Sequence, residues 1–169
     1  TDTALYYFAT YCGYKSKEYK KLIPFAQKTI ELGHDKAAKA YYIMALAHKK
    51  NGSEDKYAET LKAGYEAFPK DKTIRKKIAV VYLTEGLAPY NEAAKIIADA
   101  EPFRESDVDK YNAEVEKANT KFEEAKSIFE KAYEITPKNE QLLKALMAVY
   151  QGLELEDNAK KIEGEINAL

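Results

Sequence analysis

Apolar residues recur three and four positions apart along almost the whole chain, which is the spacing of one face of a helix. Leu5, Phe8, Ala9 and Cys12 form a first stripe, and Leu22, Ala26, Thr29 and Ile30 a second. Ala40, Met44, Ala47 and His48 form a third, and a fourth helix is predicted to run to Pro69. From Ile74 the stripe continues through Ile78, Tyr82, Tyr90, Ala93, Ile97 and Ala100. Gly86 and Pro89 lie within it and predict a kink or short break, because proline lacks an N–H and its ring crowds the preceding turn. Val108, Tyr111, Val115, Ala118, Phe122, Ala125, Phe129 and Ala132 then share one face without Gly or Pro, which predicts a single helix to about Ile135. Two last helices are expected near 139–151 and 156–168, split by Gly152. Short alternations of the strand type occur only inside these stripes, so the predicted class is all-α.

Turn chemistry marks the joints. Ser16 is positioned to cap the second helix with Glu18 in its first turn, and Gly33 suits a left-handed stop. Asn51-Gly52 predicts a turn, followed by Ser53 as cap with Glu54 and Asp55 at the positive helix end. Read as a glycosylation acceptor, Asn51–Ser53 would need nothing more than the same three residues, and the turn explains them without it. Ser106 with Asp109 three residues on resembles a capping box.

A repeat underlies the pattern. Ala125, Phe129, Ala132 and Pro137 are spaced by four, three and five, and Tyr57, Leu61, Gly64 and Pro69 repeat those spacings 68 residues earlier. Leu143, Leu146, Met147 and Tyr150 form a matching preceding helix, as do Ile78, Ala79 and Tyr82, and Tyr41, Met44, Ala45 and His48; Ala159 fits a small-residue position of the last helix. These residues resemble the tetratricopeptide repeat, a helix pair of about 34 residues whose second helix ends in this way. The resemblance covers most of the chain and implies a right-handed superhelical solenoid of antiparallel helix pairs, about eight helices in one domain. The first unit departs from it, with Leu22, Ala26 and Thr29 at the motif positions, and residues 86–120 fit badly. Two unit assignments follow. One has four units, near 2–33, 36–69, 72–136 (an extended hairpin) and 139–169. The other has five regular units, as the double period of 68 favours. The unbroken stripe across 118–121 favours the first. Residues 86–97 and 122–137 look like long-hairpin variants of the family in bacteria.

Composition then narrows the function. The chain has 169 residues, 46% of them apolar, enough for a real core. Net charge is −1 with both signs mixed, so no excess of charge argues for nucleic acid or an anionic membrane. No apolar run reaches the length of a membrane span. The chain opens TDTALYYFATY, so no signal peptide is expected. One cysteine, Cys12, excludes an internal disulfide and leaves the compartment open between a bacterial envelope or periplasm and the cytoplasm. Cys12, with apolar neighbours, is expected to be a small buried hydrophobe.

Catalytic motifs are missing. His34 and His48 are the only histidines, the first expected at a helix junction and the second as a partly buried core residue. No phosphate loop, nucleophile elbow or metal-binding histidine pair is present, so neither an enzyme nor a metal or other cofactor is expected.

The chain has 14 tyrosines and no tryptophan. Tyr82, Tyr150, Tyr6 and Tyr41 are expected to pack between helices. In the family the first helices of each unit line a concave groove, and the resemblance implies that it receives Tyr7, Tyr11, Tyr14, Tyr42, Leu46 and Lys49, followed by Lys76 and Val80. Tyrosine suits recognition because it offers a large ring and a hydrogen-bonding end at low entropy cost. The family's clamp for a peptide C-terminus is not matched, since Tyr42 and Leu46 stand in it. The expected function is a scaffold binding an extended peptide or partner protein in this groove. The alternative is an accessory protein that binds a small molecule or glycan there.

Overall fold

Pro69 and Pro137 end two helices with the same turn. Phe68 N–H donates to Gly64 O and Thr136 N–H to Ala132 O, both at 2.9 Å. Each proline follows, and an acceptor side chain then restarts the chain: Asp71 Oδ1 takes the Thr73 and Ile74 N–H groups at 2.9 Å, and Asn139 Oδ1 takes that of Leu142 at 3.1 Å. The repeated spacing in the sequence is thus a repeated local structure, a helix stop and an N-cap supplied by the same positions.

A computed structural model describes residues 3–169, so Asp2, the expected start of the first repeat, lies outside the described residues. In order the helices are α1 (Thr3–Lys15), α2 (Tyr19–Glu31), α3 (Ala37–Lys50), α4 (Glu54–Ala67), α5 (Lys72–Ala100), α6 (Val108–Ile135), α7 (Glu140–Gly152) and α8 (Glu156–Asn167), with a 3-10 turn at Glu101–Phe103. No strand occurs among the described residues. The chain divides into two compact units, one up to Ile78 and one from Ala79 onwards.

In the first unit α1 to α4 pack each on the next, and α1 also meets α3. Leu22, Ala26, Ile43 and Ala47 form a buried cluster with Tyr11, Tyr14, Ile23 and Met44 against it. Thr10 and Thr29 are fully buried and face each other with hydroxyls 3.5 Å apart. Each hydroxyl also donates to its own preceding turn, to Tyr6 O and Phe25 O at 2.8 Å, so neither is left unsatisfied. Thr29 therefore occupies a small-residue position at a close helix crossing.

The α1 stripe read from the sequence is overturned. Leu5 and Phe8 are 67% and 65% exposed, and Cys12 is exposed as well. The reason is that α1 meets neighbours on one side only. That side is the Tyr6–Thr10–Gly13 face, where a Cβ on Gly13 would come within 2.8 Å of Leu22 Cβ. Periodicity locates an apolar stripe, but the neighbours decide which face is covered.

Four of the remaining joints share one geometry. A residue with positive φ stands at Lys17 (62°), Gly33 (64°), Gly52 (79°) and Glu154 (56°). After each, the next N–H reaches back five residues: Glu18 to Gly13 O, His34 to Thr29 O, Ser53 to His48 O and Leu155 to Tyr150 O, at 2.8–3.2 Å. This left-handed stop satisfies carbonyls that the helix ends would leave open. Gly33 and Gly52 act as expected. Gly152 does not end α7 in this way; Glu154 does. Ser16 does not cap α2 either, since its hydroxyl donates back to Cys12 O at 2.9 Å. Ser53 stands at the N-cap of α4 but makes no side-chain cap bond. Asp107, not Ser106, caps α6, accepting from Lys110 N at 3.0 Å.

In the second unit α5 and α6 run antiparallel. Gly86 meets Phe129, Tyr90 meets Phe122 with ring centres 5.8 Å apart, and Glu92 pairs with Lys121 at 3.0 Å. The α5 helix is unbroken through Pro89, where a break was one expectation. The α6 helix is likewise continuous across 118–121. Phe129, Leu143, Leu146 and Val149 centre the core, and α7 packs between α6 and α8. Tyr150 is buried and donates to Glu130 Oε1 at 2.9 Å; Tyr133 donates to the Glu165 carboxylate at 2.9 Å.

Candidate functional site

Tyr7, Tyr11 and Tyr14 lie four and three residues apart on α1, and Tyr42, Leu46 and Lys49 repeat that spacing on α3. Each set therefore lines one helix face, and the two helices touch. Tyr7 and Tyr11 stack with ring centres 6.4 Å apart. The His34 ring, from the joint between α2 and α3, also stacks on Tyr7, at 5.1 Å. Lys15 Nζ lies 5.3 Å and Lys39 Nζ 4.8 Å from the centre of the Tyr11 ring. A cation over an aromatic face is attracted by the ring quadrupole, so both lysines favour this position of the Tyr11 ring.

Deeper in the face, Tyr14 packs against the Leu22–Ile43 cluster. Burial raises the phenol pKa of Tyr42 above its usual value, and the neighbouring Tyr14 adds to the effect. Lys49 reaches across to α4, 4.8 Å from the Tyr57 ring centre and 3.4 Å from Glu54 Oε2. Tyr7, Tyr11, Tyr14, Tyr42 and Leu46 are half-buried and Lys49 is exposed. None of these tyrosines is sealed in the core. Lys76 and Val80 are both exposed on α5. Tyr6, Tyr41 and Tyr82 are half-buried between helices, in keeping with a packing role.

Sequence reasoning missed four members of this face. Lys15 and Lys39 sit four and three residues from groove positions and could have been found by extending the helical register by one turn. Tyr57 stood in the sequence only as a position of the repeat spacing. His34 belongs to a joint, where helix periodicity gives no guide to direction.

A concavity of about 590 Å³ lies elsewhere on the first unit. Its lining includes Ile23, Ile30, Tyr41, Met44, His48 and Glu59. Burial, aided by Lys56, depresses the His48 pKa against the opposing pull of Glu59. No group of three or more His, Cys, Asp or Glu side chains is placed to hold a metal ion among the described residues. No helix among them is long and apolar enough to cross a membrane.

These paired helices, joined by left-handed stops and by proline turns one double repeat apart, define an all-α helical-repeat protein. No family model matches the chain, and no curated protein does. Among solved structures, a TPR repeats protein from Bacteroides fragilis is similar at 22% identity and a TM-score of 0.60. The match covers 89% of this chain and 83% of that one. MamA of AMB-1 aligns over 99% of this chain and 91% of its own at 15% identity, with a TM-score of 0.38 that carries no weight. The fold is that of tetratricopeptide-repeat proteins.

Proposed function

We propose that the chain is a non-catalytic protein-interaction scaffold that binds an extended peptide segment of a partner protein along Tyr7, Tyr11, Tyr14, Tyr42, Leu46 and Lys49. The observation that carries this reading is half-buried Tyr11, stacked on Tyr7 with Lys15 and Lys39 both beside its ring. Rings held at fixed angles lose little further freedom when a ligand packs on them, so binding there costs little ordering entropy. Exposed aromatic surface concentrated on two touching helices also marks an interaction site more often than scattered apolar residues do.

The test is affinity capture with mass spectrometry, comparing the wild type with Tyr11→Ala and Tyr42→Ala. Both variants are expected to lose the captured protein by about 1–3 kcal/mol of binding free energy each, as anchoring aromatics do. Lys49→Ala is expected to lose less, because its charge is already engaged by Glu54. Normal capture by the folded double tyrosine variant would exclude this face.

A further inference from the structure

The near-zero net charge of the chain conceals a partition. Up to Ile78 there are 16 Lys and Arg against 9 Asp and Glu; from Ala79 on there are 11 against 19. The first unit is therefore net +7 and the second net −8. Within the first unit the sorting is sharper still. Helices α1, α3 and α5 as far as Ile78 carry eight Lys and Arg and no Asp or Glu. Apart from Asp2, the acids of that unit lie on α2, on α4 and in the joints.

This sorting falls on the tyrosine face. Among the described residues Lys15 and Lys39 are paired with no carboxylate, although each sits over Tyr11. The acids beside the face are already occupied. Asp35 is held by Lys36 at 2.8 Å, which keeps its carboxyl below the usual carboxylate range, and Glu54 by Lys49 at 3.4 Å. The face thus presents cations with unused hydrogen-bond donors next to rings that favour apolar or planar groups.

Resting on the tyrosine-face reading, we infer that the occupant is an acidic segment, an extended peptide in which Asp or Glu side chains alternate with apolar ones. Its carboxylates would meet Lys15 and Lys39, and its apolar side chains would lie on Tyr7, Tyr11 and Tyr42. Charge complementarity of this kind speeds encounter and excludes basic competitors by placing like charges opposite each other. Contact with internal side-chain carboxylates needs no free peptide C-terminus, in keeping with Tyr42 and Leu46 standing where the C-terminal clamp would be.

A display library of random dodecapeptides, selected on the full chain at low salt, tests this. The enriched peptides are then synthesised with amidated C-termini and measured by fluorescence anisotropy. The expected pool is enriched in Asp and Glu over the starting library. Its peptides should bind about 5–10-fold more weakly to Lys15→Gln/Lys39→Gln, and more weakly as salt rises. Their Asn/Gln counterparts should not bind. A neutral or basic pool that loses binding in Tyr11→Ala/Tyr42→Ala overturns the acidic occupant but leaves the tyrosine face standing. A pool that no variant affects overturns both, as does the absence of any enrichment. Two controls address other acidic partners. A salt-sensitive dimer in sedimentation would assign the face to a second copy, and displacement of the peptide by an equal concentration of a fifteen-residue oligothymidylate would assign it to polyanions at large. Either result overturns the proposal.

Discussion

The ring of Phe129 occupies the space where Gly86 would carry a side chain. A Cβ built on Gly86 would lie 2.6 Å from Phe129 Cδ1, and Phe129 itself is fully buried. Gly86 therefore acts in α5 as the floor of an aromatic pocket and not as a helix breaker. Gly86→Ala should destabilise the protein by ~1–3 kcal/mol through overpacking, although alanine is the better helix former. Phe129→Ala should cost ~3–5 kcal/mol. In a double-mutant cycle read by urea unfolding, the alanine at 86 should cost much less once the ring is gone. Additive losses would mean that the two residues do not share this contact.

Gly164 provides the opposite case. It lies inside α8 with nothing near the position of an added Cβ. Gly164→Ala should raise stability by ~0.5–1 kcal/mol through helix propensity alone. The same pair of denaturation curves that shows Gly86→Ala falling should show Gly164→Ala rising.

Lys17 and Glu154 adopt the left-handed conformation without being glycine. An ordinary side chain pays roughly 1 kcal/mol or more there. Lys17→Gly and Glu154→Gly are each expected to raise the melting midpoint, with a combined gain near the sum, since the two stops lie in different units. A lowered midpoint in either variant would show that the stop does not form as described.

Much of the fold was legible because its joints carry distinctive residues. Pro69 and Pro137, Gly33 and Gly52, and the uninterrupted stripe of α6 each leave only one reasonable backbone path. Lys17 and Glu154 carry no such mark, because the turn is set by hydrogen bonds five residues apart and not by the residue in the middle. Gly152 was misassigned for a related reason: its missing side chain serves the Phe122 ring, whose Cε2 is 2.9 Å from the Cβ it lacks. The tyrosines of the candidate site followed from the repeat register. The lysines around them did not, because a whole-chain charge of −1 averages two opposite halves.

His48 gives a pH-dependent prediction. Burial and Lys56 place its folded pKa below the unfolded value of about 6.5. Its contribution to stability is then present above that value and is lost as pH falls through the folded pKa. The urea midpoint should decline between about pH 7.5 and 5.5. His48→Gln should flatten that slope, and an unchanged slope would show that His48 is not the titrating group.

The far end of the α5–α6 hairpin is built differently from its base. Residues 101–110 are exposed apart from the half-buried Phe103, and no α6 residue before Ala118 is buried. Beyond Ala118 the helix is anchored by Phe122, Ala125, Phe129 and Ala132. Opening the tip therefore breaks hydrogen bonds while exposing little core beyond Ala100, whereas opening the base exposes most of it. Amide exchange along this one helix should accordingly grade from minutes-scale loss near Val108 to protection set by global unfolding near Phe129. A single continuous helix would then report two different free energies, and its tip is the place where an inserted epitope would disturb the rest least.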